Sequence, residues 1–350
     1  LDNFLMRKKV AVVILNWNGK KWLEKFLPDV LKYSSPEISD VYVADNCSTD
    51  DSVDWLMENF SEVKIIQNQN NNGYAGGYND ALKNVDADYF VLLNSDVEVS
   101  NNWLEPILSI FEKNKKIAAC QPKILSYSEK NKFEYAGGAG GFIDRIGYPF
   151  CRGRIFDSIE VDKHQYEKEE EIFWASGCCL FIRSECFFEV GGLDTDFFAH
   201  MEEIDLCWRL KNKNYLIYYC PSSIVYHVGG GTLNAINPQK TYLNFRNNLY
   251  LLTKNLPSKF FFRTLLLRMI LDGIAGIKFL LQGDINHLYA VLKAHKDFYG
   301  NFKKMYNKRK ENNIDKKEKI LSKVFNGSIV WNYYIKRNKT FTSLNKNNFY

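Results

Sequence analysis

The chain has 350 residues, 46% hydrophobic and 25% charged, with a net charge of +5. That mix excludes a wholly disordered chain and a polytopic membrane protein, and the length suits one large α/β domain with an appendage, or two domains. With 21 Gly and 8 Pro there is no collagen-like or low-complexity character. In chain order, Val10–Asn16 is a continuous apolar run of strand length, and Lys20–Tyr33 has helical spacing of Trp22, Leu23, Phe26, Leu27, Val30 and Leu31. Residues 41–45 predict a second strand, 50–60 a helix, 63–67 a third strand and 76–84 a helix. Residues 89–94 predict a fourth strand and 103–114 a helix. The stretch 124–171 is rich in glycine and charge and reads as loop. Structure resumes at 172–183, followed by an acidic helix at 202–213, two short strands at 215–220 and 224–227, and Gly229-Gly230-Gly231. Beyond 240 the pattern is helical.

Apolar strands alternating with helices predict a mainly parallel sheet covered by helices on both faces, with ligands beyond the carboxyl ends of the strands. Four consecutive strand ends carry polar, turn-forming residues: Asn16 to Gly19, Asp45 to Asp50, Asn68 to Asn79, and Asn94-Ser95-Asp96. Residues 260–281 are very apolar but carry Arg263, Arg268, Asp272 and Lys278, so no uncharged run is long enough to span a bilayer. They predict a helix that either lies in a membrane interface or packs on the rest of the protein. Residues 301–340 hold twelve Lys/Arg against Glu311, Asp315 and Glu318. This basic end reads as a solvated tail or as a surface for anionic lipid head groups. No reader motif supports nucleic acid as a partner. The eight cysteines form no CxxC pair and read as small buried hydrophobes in a reducing compartment. Met6-Arg7-Lys8-Lys9 leads into a strand without a secretory h-region, so a cytoplasmic protein is expected.

Asp45 closes a strand before Asn-Cys-Ser-Thr-Asp-Asp-Ser. Thr49 and Asp50 suit a helix N-cap, which leaves Asp45 available to accept hydrogen bonds from a nucleobase or a ribose. A nicotinamide oxidoreductase is disfavoured, because GxGxxG is missing after the first strand and the Gly73–Gly77 cluster lacks its spacing. Asn94-Ser95-Asp96 suits either an Asx turn or a carboxylate on a divalent cation that bridges phosphates. In His200-Met201-Glu202-Glu203-Ile204-Asp205, acids at a helix start suit a solvated first turn. Their apolar flanks suit instead a carboxyl of raised pKa that abstracts a proton. His227 reads as a structural histidine or as a metal ligand beside glycines.

The ordered series VVILNWNG, VYVADNCSTDDS, NQNNNGYAGGYNDAL, YFVLLNSDVEV, WASGCCLFIR, VGGLDTDFFAHMEEIDLCWRL and VYHVGGGT resembles the family 2 glycosyltransferases, in particular their rhamnosyltransferase-like branch, over about residues 8–255. The resemblance implies a GT-A fold over 8–255, a helical region at 256–300, a basic tail at 301–350, and inverting transfer of a sugar from a nucleotide-sugar. It implies that Asn16 and Asp45 contact the nucleoside and that Asn72, Gly73 and Gly77 line the base and ribose pocket. Asn94-Ser95-Asp96 matches the DxD position with Asn in first place, so Asp96 with His227 is the implied ligand pair for Mg²⁺ or Mn²⁺. Glu202-Glu203 matches the Glu-Asp motif, with Glu203 as general base, and Trp174 and Gly177 match the floor of the acceptor pocket. The donor first suggested is dTDP-rhamnose, with UDP- and GDP-sugars open. The expected acceptor is a glycan or lipid-linked hydroxyl in surface polysaccharide synthesis, at the inner face of the cell membrane with peripheral contact to anionic lipid. The competing expectation is a nucleotide-binding scaffold without catalysis.

Overall fold

A computed structural model describes residues 10–229, 237–312 and 321–350. Met6 to Lys9, Gly230, Gly231 and the stretch from Asp315 to Lys319 lie outside the described residues.

The first half alternates as its periodicity dictates. Strand β1 (Val10–Asn16) is followed by α1 (Lys20–Tyr33), β2 (Ser39–Asp45), α2 (Ser52–Asn59), β3 (Lys64–Gln67), α3 (Gly73–Leu82), β4 (Tyr89–Asn94), β5 (Val97–Val99), α4 (Glu105–Lys113) and β6 (Ile117–Ser126). A set of short strands follows: β7 (Gly141–Asp144), β8 (Pro149–Cys151), β9 (Arg154–Ile155), β10 (Ser158–Ile159) and β11 (Glu170–Ile172). Then come β12 (Cys179–Arg183), α5 (Ser184–Glu189), α6 (Glu202–Asn212) and β13 (Leu216–His227). The remainder is helical, with α7 (Pro238–Asn255), α8 (Ser258–Leu281) and α9 (Ile285–Glu311), and closes with β14 (Val324–Phe325) and α10 (Ile329–Tyr334).

The main sheet runs β11-β13-β6-β12-β4-β1-β2-β3, with β5 attached to β13. β3, β2, β1 and β4 are mutually parallel, β12 runs antiparallel between β4 and β6, and β6 pairs parallel with β13. Alternate residues of the central strands enter two cores: Val12, Ile14 and Val91 lie in one with α1 and α4, and Ala11, Val13 and Leu92 in the other with α3 and α6. This is the mixed, mainly parallel sheet with helices on both faces that the apolar runs predict. Register aligns Asn16 with Asp45 and Leu15 with Asn94, so the polar strand ends share one rim.

Three expectations are corrected. The stretch 124–171 is not loop: β6 runs on to Ser126, and β10-β9-β8-β7-β14 form a second sheet. Its strands have only two to four residues, too short for alternation to show. The two strands at 215–220 and 224–227 are one, β13, with a register shift between Cys220 and Ile224 where Pro221 interrupts the ladder. Where it is described, the basic end is not a free tail. Lys304 and Lys308 pair with Asp196 and Asp194, Lys323 pairs with Glu170, and Arg309 is buried against the Leu256 carbonyl. Phe341 and Phe349 stack on Phe142 of the second sheet. Seven cysteines are buried and Cys47 is exposed; all eight are free thiols. No described helix is long and apolar enough to cross a membrane.

Candidate active site

At the β1–β2 end of the rim the loops are tied by side chains. Asn16 Nδ2 donates to Asp45 Oδ1 at 3.2 Å and to Ser52 Oγ at 3.0 Å. Asp45 Oδ2 accepts the Ser48 amide at 2.9 Å, and Asn18 Oδ1 accepts the Thr49 amide at 2.7 Å. Asn16 and Asp45 are buried, and Asn16 Oδ1 has no partner. The expected capping is different in detail: α2 starts at Ser52, and Asp50 Oδ1 accepts the Ser52 hydroxyl at 2.6 Å.

The loop before α3 is held by two residues that the sequence reading did not single out. Asn46 Nδ2 donates to Asn71 Oδ1 (2.9 Å) and to the Gly73 carbonyl (3.1 Å), while Asn68 Nδ2 donates to Asn46 Oδ1 and to the Gly77 carbonyl. Gly77 is required by close approach, since a Cβ there would lie 2.9 Å from Asn46 Oδ1 and from Leu15. Gly73 has φ +70 and a Cβ would meet the Phe198 carbonyl at 2.5 Å, so a side chain is excluded twice over. The Asn72 amide donates to Asp80 at 2.9 Å, and Asn71 accepts the bond from Asn46.

At the end of β4, Asn94 donates its backbone N–H to the Cys178 carbonyl, and Ser95 Oγ lies 3.4 Å from the place a Cβ on Gly19 would occupy. Asp96 Oδ1 is 3.2 Å from His227 Nε2, and the Asn94 amide nitrogen is 3.5 Å from the same atom. Glu134 Oε2 lies 3.3 Å from His227 Nδ1. Burial works against charge on this imidazole, but Cys178, Asp96 and Glu134 outweigh it and hold its pKa well above the ordinary histidine range. Asp96 and His227 could hold a divalent cation. They offer one hard oxygen and one imidazole nitrogen, with a carboxylate behind the second ring nitrogen to fix its orientation. Glu134, between Phe133 and Tyr135, is a partner the sequence reading missed. Among the described residues a second group of possible metal ligands is Asp162, His164 and Glu167, whose two carboxylates already hold the Lys123 ammonium.

Glu202 and Glu203 open α6. Glu202 is buried, and its pKa is driven well above the ordinary range by burial and by Glu203. Burial pushes Glu203 up to about 7, with backbone N–H groups at the helix start opposing the shift. The Oε2 atoms of both carboxyls have no hydrogen-bond partner. The Tyr74 phenol lies close enough for its titration to be raised by both acids, after burial and Tyr78, and it donates to the Gly177 carbonyl at 2.5 Å. Gly177 therefore adjoins the acids through Tyr74. Trp174 is held more deeply: its indole N–H donates to the Phe142 carbonyl and its ring covers Gly141. Asp205, on the same helix, is not part of this acid pair. It is fully buried on Arg209, Lys254 and Asn255, each at 2.8 Å.

The segment leading into the acids is strained. Phe198 has φ 64 and ψ −62, with the Ala199 N–H bonded to the Phe197 carbonyl, a rare γ-turn; His200 and Met201 also have positive φ. Asn247 on α7 holds this segment by donating to the carbonyls of Phe197, Ala199 and His200 at 2.7–2.9 Å, and Arg246 adds bonds to Asp196 and Phe197. The available signal for Asn247 was a polar triple, Arg246-Asn247-Asn248, inside a helix whose last turns are buried.

Residues 11–187, just over half of the chain, match the sequence model of glycosyl transferase family 2. An N-acetylglucosaminyl-diphospho-decaprenol L-rhamnosyltransferase of Mycobacterium tuberculosis is 26% identical over 238 residues, covering 63% of this chain and 76% of that protein. The rhamnosyltransferase WbbL of Escherichia coli K12 is 23% identical over 158 residues, covering 45% and 59%. In structure, GalNAc-T7 with UDP, GalNAc and Mn²⁺ superposes with a TM-score of 0.55 at 16% identity. That match covers 72% of this chain, which spans about half of the GalNAc-T7 chain. A mannosyltransferase of Pyrobaculum calidifontis with GDP-mannose and Mn²⁺ superposes at 0.52 and 13% identity, covering 84% and 87%. These two structures share the GT-A arrangement of sheet and helices, and on the match of 11–187 the chain belongs to glycosyl transferase family 2.

Proposed function

We propose that the chain transfers a sugar from a nucleotide-sugar to a hydroxyl of a glycan or lipid-linked acceptor in one inverting displacement, with Glu203 as general base and Glu202 beside it. The observation that supports this most is a carboxyl of pKa about 7 with an unpartnered oxygen at the sheet rim, joined through Tyr74 and Gly177 to the strand end that carries Asp96. A base of that pKa is half ionised near neutral pH and takes a proton efficiently there. As the acceptor oxygen attacks the anomeric carbon, Glu203 takes its proton, the bond to the diphosphate breaks, and the anomeric centre inverts. Asn16, Asp45, Gly73 and Gly77 would seat the nucleoside, with Asn46 and Asn68 shaping the pocket, and Trp174 and Gly177 would floor the acceptor side. A Mg²⁺ or Mn²⁺ on Asp96 and His227 would supply positive charge to the departing diphosphate. Rhamnosyltransferases among the relatives make dTDP-rhamnose the first donor to try.

The test is Glu203→Gln, measured for donor binding and for turnover with a panel of nucleotide-sugars and Mn²⁺. The expected result is unchanged donor affinity with turnover reduced by about 10²–10⁴-fold. Turnover within a few-fold of wild type removes Glu203 from the role. Donor binding by the wild type with no transfer or hydrolysis favours the scaffold.

A further inference from the structure

The two helices that follow α7 leave one broad face uncovered. On α8, Phe262, Leu266, Ile270, Ile274, Ile277 and Leu281 fall within about 120° of arc at 100° per residue, and all are exposed, from 53% to 83%. On α9, Ile285, Tyr289, Leu292 and Tyr299 form a second exposed stripe. The Tyr299 hydroxyl contacts Met269, and Leu288 meets Gly276, so the helices pack side by side and the stripes continue one another. Isolated apolar residues on a surface need no cause, but two adjoining stripes are a contiguous patch of the kind that marks an interaction site.

The charges around this face are mostly basic. Lys259, Arg263, Lys278, Lys293 and Lys296 are exposed or rim it. The acids between 258 and 310 are Asp272, Asp284 and Asp297. Asp272 is buried on Arg268 and His295, and Asp297 accepts the Tyr242 hydroxyl, leaving Asp284 at the turn between the helices. A second copy docked by two-fold symmetry would set basic rim against basic rim. A cavity of about 290 Å³ also lies against the start of α8, walled in part by Phe260, Arg263 and Leu267 with Asp144 and Arg145.

We infer that the α8–α9 hairpin seats the protein on an anionic lipid bilayer, its apolar stripes at the acyl boundary and its lysines among the phosphates. Of the basic residues beyond 301, Lys304, Lys308 and Arg309 are held within the fold. On the inner side of α9, Ala290 and Ala294 pack with Tyr242, Leu243 and Ala199, three residues before Glu202. The outer face thus lies about one helix diameter, ~10 Å, from the loop that leads to the acids. The assignment of the surface does not depend on the transferase chemistry, and its test uses neither donor nor acceptor.

The test is co-sedimentation of the full chain with vesicles of phosphatidylcholine alone or with phosphatidylglycerol added. Binding to the anionic vesicles that weakens with salt is expected, with little to the neutral ones. Ile270→Asp with Ile274→Asp should abolish it, and Lys259→Gln with Arg263→Gln should weaken it about 30-fold. All four positions are exposed, and an unchanged Tm for each variant confirms folding. Equal binding to both vesicle types, no binding, or binding retained by the isoleucine variant overturns the inference. A dimer in solution that the isoleucine variant breaks, without vesicle binding, assigns the face to a second copy instead.

Discussion

Burial raises the Glu203 carboxyl to about 7 from the 4.5 of a free glutamate, and two consequences follow at this one residue. In the proposed role of base it must be ionised, so kcat/KM should fall about tenfold per pH unit below pH 7 and level off above it, measured with a donor that does not titrate there. As a folded group it binds protons more tightly than in the unfolded chain. Its folded pKa lies above its unfolded one, so stability is lost as pH rises from about 4.5 to 7 and stays lower beyond. Glu203→Gln, which cannot ionise, should therefore melt about 2–4 °C above wild type at pH 8 and show no such difference at pH 4, read by thermal unfolding. Asn247 acts on the same site from outside it. Its side chain holds three carbonyls of a segment with three residues at positive φ, so Asn247→Ala should let that segment relax and displace the acids. The expected result is kcat reduced by about 10–100-fold with donor affinity changed little.

Helix α6 joins the acid pair at its first turn to structural ion pairs immediately after it. Asp205 is kept ionised although burial opposes it, because Lys254 and Arg209 flank it. Lys254 also reaches Asp194, and Lys308 of α9 reaches Asp194 as well, so α6, α7, α9 and the loop before the acids share one buried network. Removing one member strands the others without a counter-charge. Asp205→Ala should cost about 3–5 kcal/mol in urea unfolding, far more than a rim pair such as Lys83–Asp80. The same network explains how helices outside the matched stretch 11–187 bear on the site. They carry Asn247 and they brace the loop that delivers Glu202 and Glu203.

For the whole molecule, the last thirty residues close the second sheet. β14 pairs with β7, the Ile329 N–H donates to the buried Asp144, and Ser322 contacts Glu171 beside Lys211. Phe341 and Phe349 cover Phe142 and Phe150. A chain ending at residue 320 should expose this aromatic cluster, lower Tm by more than about 5 °C and bind ANS, as loss of several large buried side chains requires. Retention of the full-length Tm would show that the second sheet stands without its edge.

The local pattern by itself determined the alternating elements and the polar strand ends. Asn16, Asp45 and Asn94 could be placed on one rim because strand period, strand length and the parallel rule act within a few residues of one another. The acid pair was legible as a candidate from its apolar flanks, and Asp205 was separable from it only once Lys254 and Arg209 were seen to enclose it. Tertiary structure alone decided the rest. Glu134 meets His227 from 93 residues away, Asn247 reaches a loop about fifty residues before it, and Lys308 finds Asp194 across 114. No periodicity records such pairings. A lysine in a basic run and a lysine in a buried ion pair look alike until the chain has folded around them, because what distinguishes them is which charge the fold brings near and how much water it removes.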